Sequence, residues 1–315
     1  MSDADFFDQA RRALSAWGVQ KTPRLIKNRE NVVFEAVGPE GQRTALRLHR
    51  PGYQSKMAIR SELWWSEALA DGGMLVPRAI RTRAGDVLVE LPERVASMVS
   101  WVDGSPMGEG GALLAMPEHR QEALHVALGR ELARLHNLSD AATLPEAFER
   151  PVMDAEALLG DAPAWGRFWE NPSLMADEVA LLQKARHRLS DILSSATDFG
   201  LIHADALREN VMVDGDSVHL IDFDDGVFGY RLYELGVAMS QNWDQPNRDA
   251  LGAALLDGYQ QLRPLPTDAH ALLQAFTVLR GLASCGWVIG RYPADHPATH
   301  DYAHRAVEMT RAWVV

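Results

Sequence analysis

Residues 203–225 read HADALRENVMVDGDSVHLIDFDD. Two β-rich runs, 211–213 and 218–221, flank Asp214-Gly215-Asp216. An Asp-Gly pair between such runs is a strong hairpin signal. In an antiparallel hairpin, the residue before the first strand and the residue after the second stand at the same open end. Here those residues are Asn210 and Asp222, so an amide carbonyl and a carboxylate are brought together. Hard oxygen ligands of this kind suit Mg²⁺, which takes a few protein oxygens and completes its shell with water and phosphate oxygens. Asp205 lies on the approach loop, where it can act as a base beside that ion. Taken singly, each residue reads better as part of an acidic loop at a hairpin end, with His203 satisfying backbone groups. Together, His-x-Asp-x4-Asn, an Asp-Gly hairpin and Ile-Asp-Phe follow the order of a kinase catalytic loop and its magnesium-binding aspartate.

The rest of the chain suits an enzyme of that size. It has 315 residues, 47% of them hydrophobic and 23% charged, which is enough to bury a core in one large domain or two. The formal net charge of −12 disfavours nucleic acid and anionic membrane as partners. The single cysteine, Cys285, stands among apolar neighbours and reads as a buried thiol rather than a nucleophile or zinc ligand. The opening MSDADFFDQARRAL is acidic, with no long apolar run, so no signal peptide is expected. The apolar stretch 275–290 carries Arg280 and is too short to span a bilayer. A cytoplasmic protein is the expectation.

Phe6, Phe7, Ala10, Leu14 and Trp17 recur at helical spacing, predicting an opening amphipathic helix. The runs 32–37 and 44–49, separated by GPEGQ, predict a hairpin. A helix over 55–71 stops at Gly72-Gly73, and strands follow near 86–91 and 96–102. The cluster Asp103-Gly104-Ser105-Pro106 marks a boundary, dividing the chain into 1–102 and 103–315. Beyond it, helices are predicted over 119–137, 154–160, 174–195, 229–242, 247–262, 268–290 and 298–314.

HADALREN and IDFDD, with LARLH at 132–136 and GYRLYELGVAM at 229–239, resemble the aminoglycoside phosphotransferase, choline kinase and homoserine kinase superfamily. GYQQLRPL and LRGLASCGW, later in the chain, are similar to homoserine-kinase-like and bacterial stress-response-kinase members. The resemblance implies an α+β, bilobal, protein-kinase-like fold. Residues 1–102 would form a small antiparallel-sheet lobe that binds nucleotide. Residues 103–315 would form a larger, mainly helical lobe for catalysis and acceptor binding. It implies ATP and Mg²⁺, and transfer of the γ-phosphoryl group to a hydroxyl of a small, amino-bearing metabolite. A protein Ser/Thr kinase of the stress-response type and a non-catalytic nucleotide-binding module are the alternatives.

By that resemblance Asp205 is the catalytic base, His203 braces its loop, and Asn210 and Asp222 bind Mg²⁺, with Asp224 in support. Alternation along 44–49 puts Ala45, Arg47 and His49 on one face. Kinases need a small residue near adenine and a cation on the α/β-phosphates from that strand, which Ala45 and Arg47 supply. Arginine here replaces the usual lysine; it keeps the charge but not the geometry. Glu62 is the expected ion-pair partner, with Glu67 the competitor on the same helix. Backbone groups of Ser100 and Val102 would meet adenine, while Trp101 packs. Two departures stand out: the turn Asn28-Arg29-Glu30-Asn31 lacks glycine, leaving Asn31 as the phosphate contact, and Glu234 stands where relatives carry aspartate. Arg208 reads equally as a phosphate contact or an exposed loop arginine.

For the acceptor, residues 153–179 interleave Asp154, Glu156, Asp161, Glu170, Asp177 and Glu178 with Trp165, Phe168 and Trp169. Such a stretch can hold an ammonium group by charge and cation–π attraction, or it can be two amphipathic helices with solvated acidic faces. Arg280 either pairs with a buried carboxylate or binds an anionic group.

Overall fold

The structure, a computed structural model, describes residues 3–29 and 31–314. The chain forms two compact units: Met1–Asp103 with Ala142–Arg150, and Gly104–Ala141 with Pro151–Val315. The segment 142–150 thus returns to the first unit, a feature no punctuation in the sequence marks.

The first unit opens with α1 (Asp3–Ser15), followed by β1 (Arg24–Asn28), β2 (Val32–Val37) and β3 (Arg43–Leu48). Then come α2 (Lys56–Asp71), β4 (Leu88–Glu90) and β5 (Val95–Ser100). The strands form one antiparallel sheet in the order β1-β2-β3-β5-β4. Phe6, Ala10 and Leu14 recur on one face of α1 and, with Trp17, are buried with Phe34, Leu46, Leu48, Ala96 and Met98 of the sheet. The edge strand β1 is not anticipated, because RLIKN is mostly exposed and shows no alternation of apolar residues. Ser55 caps α2 by accepting the Ala58 N–H at 2.9 Å, and the Gly72 N–H closes its other end on the Ala68 carbonyl.

The second unit begins with β6 (Ser105–Pro106), α3 (Glu118–Ala141), β7 (Val152–Met153), α4 (Ala155–Leu159) and, after a 3₁₀ turn at Phe168–Glu170, α5 (Ala176–Ser195). Strands β8 (Phe199–Ile202), β9 (Val211–Asp214), β10 (Ser217–Leu220) and β11 (Val227–Tyr230) follow, with a second 3₁₀ turn at Phe223–Asp225. The chain then continues through α6 (Arg231–Ser240), α7 (Arg248–Gln260), α8 (Ala269–Trp287) and α9 (Pro297–Val314). Two small sheets result, β10-β9-β6 and β7-β11-β8. The helix predicted from 229 starts at Arg231, because Gly229 and Tyr230 pair with Gly200 and Phe199 in β8. Ser105 and Pro106, read as punctuation, pair with Val213 and Met212.

Helix packing in this unit relies on glycine where backbones meet. A Cβ at Gly129 or Gly258 would collide with the facing backbone of α7 or α3. A Cβ at Gly236 on α6 would lie 2.5 Å from the Phe276 carbonyl carbon of α8. Tyr233, Val237, Phe276, Leu279, Leu282 and Met309 fill the core between these helices. Cys285 is buried there, as its surroundings predict. No helix of the described residues is long and apolar enough to cross a membrane.

Candidate active site

The 203–225 stretch folds as read. Asp214↔Ser217 through Val211↔Leu220 pair antiparallel across a turn in which Gly215 takes φ +56°. The ladder runs one step further, with the Ile221 N–H donating to the Asn210 carbonyl at 3.0 Å. Asn210 and Ile221 therefore face each other, and Asp222 follows directly, in a left-handed conformation (φ 68°) that breaks the strand and turns the chain into the 3₁₀ segment.

The approach loop is fixed from three sides. The His203 ring is fully buried, packs against Phe223 at 4.7 Å between centroids, and places Nε2 3.0 Å from the Ile221 carbonyl. Its Nδ1 accepts the Asp205 N–H at 3.3 Å, so Nε2 carries the proton. Ala204 sits at φ 61°, a conformation that costs a non-glycine residue about 1–2 kcal/mol. Glu234 on α6 offsets that strain: its carboxylate accepts the N–H groups of both His203 and Ala204. The extra methylene relative to aspartate therefore does not prevent the bracing contact. Burial pushes the Glu234 carboxyl up to about 7, against the pull of those two N–H groups and of Arg231.

Asp205 is held by both oxygens. Asn210 Nδ2 donates to Oδ2 at 2.8 Å and also to the Asp205 carbonyl at 2.9 Å. Arg280 Nη2 donates to Oδ1 at 3.1 Å. Burial raises the Asp205 carboxyl to about 7; Arg280 opposes the rise, and Asp225, Asp222 and Glu209 add to it. Asn210 Nδ2 is engaged by Asp205, so Oδ1 is the side-chain atom suited to ligate a cation, alongside the Asp222 carboxylate. No group of three or more His, Cys, Asp or Glu among the described residues can hold a metal ion. The pair of Asn210 Oδ1 and the Asp222 carboxylate fits Mg²⁺, which in nucleotide sites draws most of its shell from phosphates and water.

Two arginines have partners that the sequence left open. Arg208 is not an exposed loop residue. It is 2% exposed and donates to the Ala112 carbonyl and to Asn242 Oδ1, both at 2.6 Å. Arg280 pairs with a carboxylate, and that carboxylate is Asp205.

In the first unit Arg47 Nη1 lies 2.6 Å from Glu62 Oε1, with both side chains largely buried. The competitor Glu67 pairs instead with Arg81 at 3.0 Å. Ala45 faces Val99 across the sheet. The Ser100 N–H donates to the Arg78 carbonyl at 2.8 Å, and the Val102 side chain is buried. Trp101 packs under the Arg43 guanidinium, 3.6 Å from the ring centroid. In the turn at 28–31, Glu30 lies outside the described residues. Asn31 Oδ1 accepts the Arg50 N–H at 2.9 Å, which gives that side chain a structural function.

The acidic and aromatic stretch 153–179 is also engaged in structure. Asp154 caps α4 through the Ala157 N–H, Asp161 pairs with Arg186, Glu170 with Arg167, and Glu178 with Arg311. Phe168 is buried, and Arg186 covers the Trp169 ring at 4.2 Å. The Trp169 ring is thus covered by the protein's own arginine.

The family model described as phosphotransferase enzyme family matches residues 22–273. A homoserine kinase of Rhizobium etli is 32% identical over 217 residues, covering 65% of this chain and 60% of that protein. One of Methylobacterium nodulans is 33% identical over 216 residues, covering 65% and 61%. The matched region thus spans about three-fifths of the length of these relatives. Among solved structures, a microcompartment-associated aminopropanol kinase is 30% identical, with a TM-score of 0.84 over 98% of this chain and 97% of that one. An amicoumacin kinase shares the fold at 16% identity, with a TM-score of 0.78 over 99% and 94% of the two chains.

Proposed function

This chain belongs to the phosphotransferase enzyme family, and from that premise we propose that it transfers the γ-phosphoryl group of ATP to a hydroxyl of a small amino alcohol. The observation that carries this reading is the double hydrogen bond from Asn210 Nδ2 to Asp205, which ties the base to a metal ligand within one turn of chain. A module that only bound nucleotide would have no use for that arrangement. The relatives are named for homoserine and aminopropanol, both of which carry an amine and a hydroxyl. The acceptor is assigned to that class.

Each residue then has a defined task. Asp205 accepts the proton of the acceptor hydroxyl as that oxygen attacks the γ-phosphorus in line. His203 and Glu234 fix the loop so that this carboxylate stays within reach of the hydroxyl. Asn210 and Asp222 would hold Mg²⁺, which when bound draws charge from the transferring phosphoryl group. Arg47, oriented by Glu62, contributes a fixed cation for the α/β-phosphates. Ala45 leaves room for adenine, and the Val102 backbone and the Ser100 carbonyl are its hydrogen-bonding candidates.

The test is calorimetric titration of ATP with and without Mg²⁺ into the wild-type chain and Asp222→Ala, followed by turnover with homoserine and with aminopropanol. Magnesium-dependent binding that Asp222→Ala abolishes is expected. Asp205→Ala should retain that binding and lose roughly 10²–10⁴ in rate. Absence of ATP binding in the wild type, or normal turnover by Asp205→Ala, would overturn the assignment.

A further inference from the structure

We propose that Arg280 is a positioning residue for phosphoryl transfer, holding the Asp205 carboxylate in the orientation from which it takes the acceptor's proton. This rests on the phosphotransferase reading and deepens it by adding a residue outside the motif. In the step concerned, the acceptor O–H proton passes to Asp205 and the new O–P bond forms. The γ-phosphorus–oxygen bond to ADP breaks, and ADP leaves with the electron pair.

The sequence of α8, AHALLQAFTVLRGLASCGW, contains no lysine, aspartate or glutamate, and Arg280 is its one arginine. Leu279, Gly281 and Leu282 beside it are buried, and the Arg280 side chain is 16% exposed. A charge so enclosed requires a counter-charge, and replacing such a pair by apolar residues is commonly neutral or stabilising. Stability alone therefore does not account for an arginine at this position. The carboxylate that Arg280 engages is the one group in the second unit assigned to accept a proton.

Geometry indicates what the contact does. The terminal torsion of aspartate is broad and roughly two-fold, so a carboxylate held by one donor swings freely. Asp205 has two donors on two oxygens, Asn210 Nδ2 on Oδ2 at 2.8 Å and Arg280 Nη2 on Oδ1 at 3.1 Å. They come from different elements, the catalytic loop and α8. Together they fix the plane of the carboxylate, and each oxygen keeps lone pairs for the acceptor hydroxyl. The fold prepares this contact. Gly236 allows α6 to approach the α8 backbone at Phe276, and the phenol of Tyr233, one turn earlier on α6, lies beside the guanidinium. Glu234 on that same turn anchors the loop backbone. One helix thus sets the main chain of the loop, and its neighbour sets the side chain.

The experiment measures ADP release from Mg²⁺-ATP with homoserine, with aminopropanol, and with water as the sole acceptor, so that no single acceptor decides it. Arg280→Met should lower kcat by about 10², with KM for ATP and acceptor changed by less than about threefold. Arg280→Lys, which keeps the charge without the fork, should recover part of the loss, and millimolar guanidinium should raise the rate of Arg280→Ala. ATP affinity and Tm identify a variant that has failed to fold; if Arg280→Met does so, Arg280→Lys and the guanidinium response decide the question. A kcat within about threefold of wild type in a folded Arg280→Met would overturn the proposal, as would a loss confined to acceptor KM, which would make Arg280 an acceptor-binding group. A wild-type chain with no turnover in any arm would instead overturn the phosphotransferase reading itself, and this proposal with it.

Discussion

Glu234 Oε1 accepts the backbone N–H of Ala204 at 3.1 Å, and its second oxygen accepts that of His203. A residue in a strained left-handed conformation, one position before the proposed base, is thereby fastened to a side chain on another element. Glu234→Ala would leave two buried N–H groups without acceptors, at about 1–3 kcal/mol each. The expected result is a fall of about 2–6 kcal/mol in denaturant-measured stability together with loss of turnover. Glu234→Asp should also destabilise, because this backbone is fitted around the longer side chain. A Glu234→Asp chain as stable as wild type would show that the loop adjusts freely to its brace.

The Arg47–Glu62 pair is 2.6 Å long, and the side chains are 12% and 4% exposed. Removing one partner leaves an uncompensated charge. Arg47→Met should therefore cost about 3–5 kcal/mol, while the double variant Arg47→Met/Glu62→Met recovers most of it. Both variants should bind ATP weakly. A double variant destabilised by the sum of the two single changes would mean the two side chains are not coupled, and a double-mutant cycle measures this directly.

Burial, with Arg47 adjacent, holds the His49 ring well below the ordinary histidine range of 6.5, and its Nε2 lies 2.8 Å from Ser97 Oγ. The folded state therefore binds fewer protons at this site than the unfolded chain. The resulting stability is present above 6.5 and is lost as pH falls below it, until the folded pKa is reached. In His49→Gln the dependence of stability on pH between 6.5 and 5 should be shallower than wild type, by up to about 1.4 kcal/mol per pH unit towards the lower end. Urea unfolding at several pH values checks this; parallel slopes would contradict it.

Burial pushes the Cys285 thiol up to about 12, and the sulfur lies 3.6 Å from the Phe168 carbonyl. The thiol should not react with an aromatic disulfide reagent at pH 8 in the native protein and should titrate as one thiol per chain in denaturant. Rapid native reaction would place it at the surface.

The hairpin of the catalytic stretch was legible because its signals are local. Asp-Gly between two β-rich runs fixes the turn, and the turn fixes which residues share the open end. The helices were legible for a similar reason, since apolar spacing along 3–15 or 297–314 needs no knowledge of the partner surface. The sheet β7-β11-β8 was not legible. Its strands are two to four residues long, and Gly229-Tyr230 continues smoothly into a helical pattern, so only the pairing with Phe199 and Gly200 distinguishes strand from helix. Within the site, the pairing of Arg47 with Glu62 rather than Glu67 followed from template spacing. The partners of Arg208 and Arg280 did not, because an arginine among apolar residues signals that a partner exists without naming it. Asp205 is 75 residues from Arg280, and Asn242 is 34 from Arg208; only the packing of α6, α8 and the loop brings them together.

The contact between Gly236 and Phe276 bears on how such chains are recognised in genomes. A single alanine at 236 would force α8 outward, because its methyl carbon would need the space now occupied by the Phe276 carbonyl. HADALREN and IDFDD would remain letter for letter, and a search for the motif would still count the chain as a working kinase. Divergence toward an inactive descendant can therefore begin at a residue that performs no chemistry, and position 236 should be inspected before a copy of the motif is taken as evidence of an active enzyme.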